Sequence, residues 1–232
     1  MTDSIDHPRR IRSFVKREGR LTPSQERNLA ALWPRYGRER PAAPIDWPHE
    51  FGRDAHRTLE IGFGAGEVLA DLAIRRPEAD FIGIEVYRNG VGRLLGALDE
   101  AEADNVRVFR DDAVEVLAGA FADASLDEVL LYFPDPWPKK KHHKRRIVQP
   151  GFADEIARVL RPGGIWRLAT DWINYAEHMR DVLDAHAAFE NIGDTNGYVT
   201  APPRRDTRFE NRGLNKGHLV HDMAYQKRST PP

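Results

Sequence analysis

From Arg57 onward, short apolar runs alternate with stretches whose apolar residues recur at helical spacing. The pattern predicts strands at 58–61, 81–84, 106–109, 129–133 and 165–169. Between them it predicts helices beginning after Gly66, at 87–103, at 113–118 and from Pro150, a good first helical residue. Val68, Leu69, Leu72 and Ala73 share one face of the first of these helices; Phe152, Ile156, Val159 and Leu160 share one face of the last. R-P-G-G at 161–164 reads as a turn. A helix at 172–186, a sixth strand at 189–192 and a closing segment at 218–226 complete the chain, with loop between 196 and 213. Repeated β-α units of this kind imply an α/β, doubly wound, mostly parallel sheet, with ligands at the carboxyl ends of its strands.

The first 50 residues break this pattern. They are rich in Arg and Pro, with Phe14 and Val15 set among basic residues and a short helix expected at 25–32, stopped by Trp33-Pro34. Few apolar residues are present to offset the entropy of ordering, so residues 1–50 are expected to form a basic, partly ordered arm and residues 51–232 the main domain.

Composition adds three points. At 41% hydrophobic over 232 residues, the chain can build a sizeable core. Cysteine is absent, which excludes disulfides and thiolate metal sites, and the nine His show no paired metal spacing. The net charge of −1 conceals two basic islands, +5 over residues 1–40 and +6 over 139–146, on a remainder of −12. Islands of this sort point to a localised polyanion footprint. With a polar N-terminus and no long apolar stretch, the expectation is a soluble cytoplasmic protein, monomer or homodimer.

The chemistry gathers at the strand ends. Glu60, Glu85, Asp112, Asp135 and Asp171 each lie at or just after one. A single such acid is usually a helix cap; five successive ones converge on one edge. The first strand enters G-F-G-A-G (Gly62, Gly64, Gly66), a turn that lets a ligand approach the backbone. Glu67 stands where a dinucleotide fingerprint needs its third glycine, and Glu60 would sit poorly beside a pyrophosphate. An acid there suits a ligand with an ammonium group and no phosphate, such as S-adenosylmethionine (SAM). Glu85, 19 residues after Gly66, is placed to accept both ribose hydroxyls, and Asp112 to accept from the adenine amino group.

The stretch at 131–146, L-Y-F-P-D-P-W-P-K-K-K-H-H-K-R-R, holds Asp135 between two prolines, with Trp137 beside it and six Lys or Arg in the eight residues behind. Trp137 either stacks on an unstacked base or wedges the loop. This run, together with L-E-I-G-F-G-A-G (59–66), G-I-E-V (83–86), A-T-D (169–171), T-R-F-E (207–210), R-S-F-V-K-R-E-G-R-L-T-P-S-Q (12–25) and L-W-P-R-Y-G (32–37), resembles the bacterial tRNA (guanine-N7-)-methyltransferase family along nearly the whole chain. The resemblance implies a Rossmann-like class I methyltransferase sheet with an antiparallel C-terminal strand. It implies SAM contacts from Glu60, Glu85, Asp112 and Asp135, with Asp135 catalytic. It further implies substrate contacts from Lys139, Asp171, Thr207, Arg208, Phe209 and Glu210, and RNA contacts from Lys141, His142, His143, Lys144, Arg145 and Arg146. The implied product is 7-methylguanosine in the tRNA variable loop. Competing readings are a SAM enzyme acting on another RNA or a small molecule, a non-catalytic RNA-binding module on the same fold, and a nicotinamide oxidoreductase.

Overall fold

The computed structural model describes residues 12–14, 19–194, 196–200, 202 and 219–229. Eight strands form one sheet: β1 (Gly37–Arg38), β2 (Arg57–Ile61), β3 (Asp80–Ile84), β4 (Val106–Phe109), β5 (Leu126–Tyr132), β6 (Leu160–Thr170), β7 (Phe189–Asn191) and β8 (His221–Lys227). Their spatial order is β1-β4-β3-β2-β5-β6-β8-β7. The first six pair in parallel, and β8 runs antiparallel to both β6 and β7. The order reverses at β2, which has β3 on one side and β5 on the other; at such a switch point the loops leave in opposite directions and open a crevice.

Helices cover both faces. On one side α1 (Pro23–Tyr36), α3 (Glu67–Arg75) and α4 (Arg88–Glu100) bury Tyr36, Leu69 and Leu94 against the sheet. On the other, α5 (Ala113–Ala120), α6 (Pro150–Val159) and α7 (Ile173–Asp184) bury Leu117, Ile156 and Met179. In β5, Val129 and Leu131 serve one core while Leu130 and Tyr132 serve the other, which is why the strand reads as an unbroken apolar run. Among the described residues no helix is long and apolar enough to cross a membrane.

Two expectations need correction. The helix expected at 25–32 continues through Trp33-Pro34 to Tyr36. A capping box from Thr22 and Gln25 starts it, and docking on α4 holds its end, with Tyr36 fully buried. Asn28 Nδ2 donates to the Gly92 carbonyl at 2.9 Å and Gln25 Nε2 to the Asn89 carbonyl at 3.2 Å. The R-P-G-G turn lies inside β6: Leu160 pairs with Leu126 and Ile165 with Glu128, and the intervening residues bulge at Gly163, whose φ is +79°.

Packing is continuous across residue 50. β1 is an edge strand of the sheet, and Trp47, on the short helix α2 (Trp47–Phe51), is 2% exposed and stacks on Phe121 at 5.2 Å. Trp47→Ala is therefore expected to destabilise the whole protein by about 3–5 kcal/mol, the range for emptying a buried aromatic site. Urea unfolding measures it. A loss below ~1 kcal/mol would show instead that this segment packs only loosely on the rest.

Candidate active site

The switch point holds a cavity of about 660 Å³. Its wall is built from the ends of β2, β3 and β5 and from Asp111 and Ala113 after β4, with Ser13, Phe14 and Gln25 also lining it. Five of the expected residues meet there: Glu60, Gly62, Gly64, Glu85 and Asp135.

The turn after β2 is shaped by three glycines in the left-handed region, where only glycine is at ease; Gly66, at φ +76°, also lies so close to α4 that a Cβ would fall 2.7 Å from Leu94 Cβ. Glu85 pins this turn to the end of β3. One of its oxygens accepts from the Gly64 N–H at 2.8 Å; the other accepts from the Val86 and Tyr87 N–H groups at 2.7 and 3.0 Å. Burial raises the Glu85 carboxyl above its ordinary value, the three amides pull it back, and the charge of Asp135 adds to the rise.

Glu60 is 4% exposed. Burial, and then the neighbouring Glu85, push its carboxyl up to about 8, against an opposing bond from the Leu69 N–H. Its Oε2 is buried and finds no partner among the described residues. A neutral acid with an unused oxygen in a cavity wall is a ready acceptor for a cationic donor, and it ionises when one arrives. This fits the ammonium group of SAM, and the glycine turn leaves room for a nucleoside beside it.

Asp135 projects into the mouth of the cavity from the loop after β5. It is solvent-accessible, yet protein crowds it on enough sides for desolvation to raise its carboxyl. The loop is strained on both sides. Phe133 has φ +51° and Trp137 φ +45°, conformations that cost a bulky residue about 1–3 kcal/mol each. The Phe133 N–H is tied to the Ala169 carbonyl at 2.8 Å, and the Trp137 indole N–H donates to the Ser13 carbonyl at 3.0 Å.

The basic run forms a 3₁₀ helix, Lys140–Arg145, with Lys139 as its N-cap. Three residues per turn eclipse positions i and i+3, so the run divides into faces. Lys141 and Lys144 are exposed. His142 and Arg145 both sit on Trp137, the imidazole edge-on at 5.8 Å and the guanidinium over the ring at 4.4 Å. His143 and Arg146 turn inward. Arg146, expected to touch RNA, is 2% exposed and bonded to Pro136, His143 and Asn174. Its planar fork is filled by protein groups.

Asp112 caps α5, its side chain accepting from the Val114 N–H at 3.1 Å, while its neighbours Asp111 and Ala113 line the cavity. Asp171 follows the last residue of β6, outside the cavity lining. Thr207, Arg208, Phe209 and Glu210 lie outside the described residues. Sequence reasoning missed Ser13, Phe14, Gln25 and Arg93 as wall residues. The apolar pair at 14–15 amid basic residues was the available signal for the first two.

The family model "Putative methyltransferase" matches residues 54–223. The chain is 53% identical to a tRNA (guanine-N(7)-)-methyltransferase of Alkalilimnicola ehrlichii over 99% of its own length and 98% of the relative's. It is 52% identical to that of Alcanivorax borkumensis over 99% and 100%, and 51% identical to that of Halorhodospira halophila over 97% and 98%. Among solved structures, an O-methyltransferase of Thermotoga maritima that uses SAM matches with a TM-score of 0.51 at 15% identity, covering 82% of this chain and 69% of that one. An rRNA methylase of Streptococcus thermophilus matches at 0.50 and 12%, over 80% and 96%. These distant likenesses place the sheet among methyltransferase folds. The relatives, alike along almost the entire chain, settle the narrower question: the chain belongs to the tRNA (guanine-N(7)-)-methyltransferase family.

Proposed function

We propose that this protein methylates N7 of a guanine in tRNA, at the variable loop, using SAM, and that it does so in the cytoplasm. The observation that carries the reading is the meeting of Glu60, Glu85 and Asp135 in one cavity, beside a 3₁₀ helix that presents lysines outward.

SAM, when bound, supplies a sulfonium methyl group. Glu60 is the acceptor for its ammonium group and Glu85 for its ribose hydroxyls, with Asp112 toward the adenine. Lys141 and Lys144 engage RNA phosphates, which position without reading sequence. Lys139, Asp171 and residues 207–210 are the expected contacts to the substrate nucleoside.

Guanine N7 carries a free lone pair and no proton, so Asp135 has nothing to remove there. Its work is to orient and to stabilise. A carboxylate accepts from the guanine N1–H and amino groups, a pair only guanine offers. It also favours the positive charge that grows on the purine as the methyl arrives. Asp135 acts in both tasks as the carboxylate.

Three results test this. Glu85→Ala should weaken SAM binding by about 1.5–3 kcal/mol for each hydroxyl bond to the lost charge. Calorimetry on the folded variant decides, and unchanged affinity removes Glu85 from the cofactor site. Second, Glu60 is neutral below about pH 8 in the free protein, whereas an ammonium beside it favours the carboxylate. SAM binding near pH 7 should therefore release a proton from Glu60, and affinity should climb as pH rises toward 8. Calorimetry in buffers of different ionisation enthalpy should find that release in wild type and lose it in Glu60→Gln; equal proton counts would place the ammonium elsewhere. Third, Asp135→Asn keeps shape but loses charge and turns a donor toward the guanine N–H groups. Single-turnover methylation at saturating SAM and tRNA should slow by about 10²-fold or more, while tRNA affinity falls little. A rate near wild type would remove Asp135 from the chemistry.

A further inference from the structure

Arg146 is a buried cation whose hydrogen-bond partners are carbonyls, an amide and an imidazole. Nε donates to the Pro136 carbonyl at 3.0 Å. One terminal nitrogen reaches the Asn174 carbonyl at 3.3 Å; the other reaches Asn174 Oδ1 at 2.8 Å and lies 3.3 Å from His143 Nε2. The guanidinium carbon stands 4.8 Å from the centre of the Tyr175 ring. Removing a charge from water without a carboxylate to meet it is costly, and an apolar side chain would fill such a space more cheaply. Stability therefore does not explain this residue.

Its partners do. Pro136 immediately follows Asp135, and its ring already fixes φ. Anchoring its carbonyl fixes the next peptide plane, the one that leads into Trp137 at φ +45°. Strained backbone of this kind persists only where its surroundings over-determine it. On the other side of the clamp, α7 offers a rigid surface. Asn174 and Tyr175 lie in its first turn, the Tyr175 hydroxyl accepts from the Val148 N–H at 3.3 Å, and His178 Nε2 meets the Val148 carbonyl at 2.8 Å. Both ends of the segment 136–148 are thus held on one helix, and Arg146 is the fork that joins them.

We propose that Arg146 is a positioning residue for methyl transfer: it locks the loop bearing Asp135 onto α7, and it acts on the rate of the reaction and not on RNA affinity. The proposal rests on the role given above to Asp135. An ammonium group cannot replace the fork, because a single point donor cannot reach Pro136 and both oxygens of Asn174 together.

The test compares Arg146→Ala, Arg146→Lys and Asn174→Ala with Lys141→Ala, an exposed cation of the same run. Single-turnover methylation of tRNA at saturating SAM should slow by about tenfold or more in Arg146→Ala and Arg146→Lys, the scale of a small misplacement of a reacting group. tRNA affinity and its salt dependence should match wild type, whereas Lys141→Ala should lose ~0.7–0.9 of a log unit of salt slope. Added methylguanidinium should restore much of the rate in Arg146→Ala. A salt slope lowered as in Lys141→Ala, or a rate defect that methylguanidinium leaves untouched, overturns the proposal. Should Arg146→Ala fail to fold, Asn174→Ala decides, since Asn174 is exposed and its loss opens no cavity; a normal rate there overturns the clamp. A rescued Arg146→Ala defect beside a normal Asp135→Asn rate would instead sink the role of Asp135. A normal Arg146→Ala rate beside a crippled Asp135→Asn would sink the clamp alone.

Discussion

A methyl group added at Gly90 would lie 2.0 Å from the Gly64 carbonyl oxygen, closer than any two such atoms can stand. That contact is the constraint on which the site depends. It brings the first turn of α4 against the turn after β2, and Glu85 then ties the same turn to β3 through the Gly64 N–H. The cavity wall is thus one backbone unit and not three loops that happen to meet. It reaches further, because α1 rests on α4: Cβ atoms at Gly92 or Gly96 would strike Gln25 or Asn28 of α1. The N-terminal helix and the glycine turn share a single support.

Electrostatically the site is graded. Glu60 is deepest and held neutral by burial and by Glu85; Glu85 is tied down by three amides; Asp135 stands at the mouth. Outside them the 3₁₀ helix places lysines toward solvent. The acids within suit a cation and the lysines without suit a polyanion, which fits a sulfonium donor and an RNA acceptor.

Much of this was legible in the sequence because it follows from local periodicity. β4 lies where its apolar run ends, and Pro150 opens α6 as the geometry of proline requires. Three of the five acids at strand ends, Glu60, Glu85 and Asp135, line one cavity because parallel strands leave the sheet at one edge; Asp112 caps α5 and Asp171 lies outside the lining. What was not legible depended on partners distant in the chain. Proline and arginine in the first 50 residues read as a partly ordered arm, yet Tyr36 and Trp47 each fill a core site that no local count of apolar residues reveals. Pro34 reads as a stop, but docking on α4 outweighs one missing helical bond. Arg146 reads as one more solvated cation, because a charge run gives no sign of its threefold period until its fold is known.

That period has a consequence for how such a segment can change over time. From Lys141 to Arg146 the side chains take three directions in turn, to solvent, to Trp137, and to the interior with His143 and Arg146. Exchanging one outward lysine for another polar residue disturbs a single surface. Inserting one residue before Lys141 rotates every direction at once, turning Arg146 out and a lysine under the indole. The stretch between Pro138 and Pro150 therefore behaves like a reading frame: its letters are free to drift on one face, while its length is held by all three.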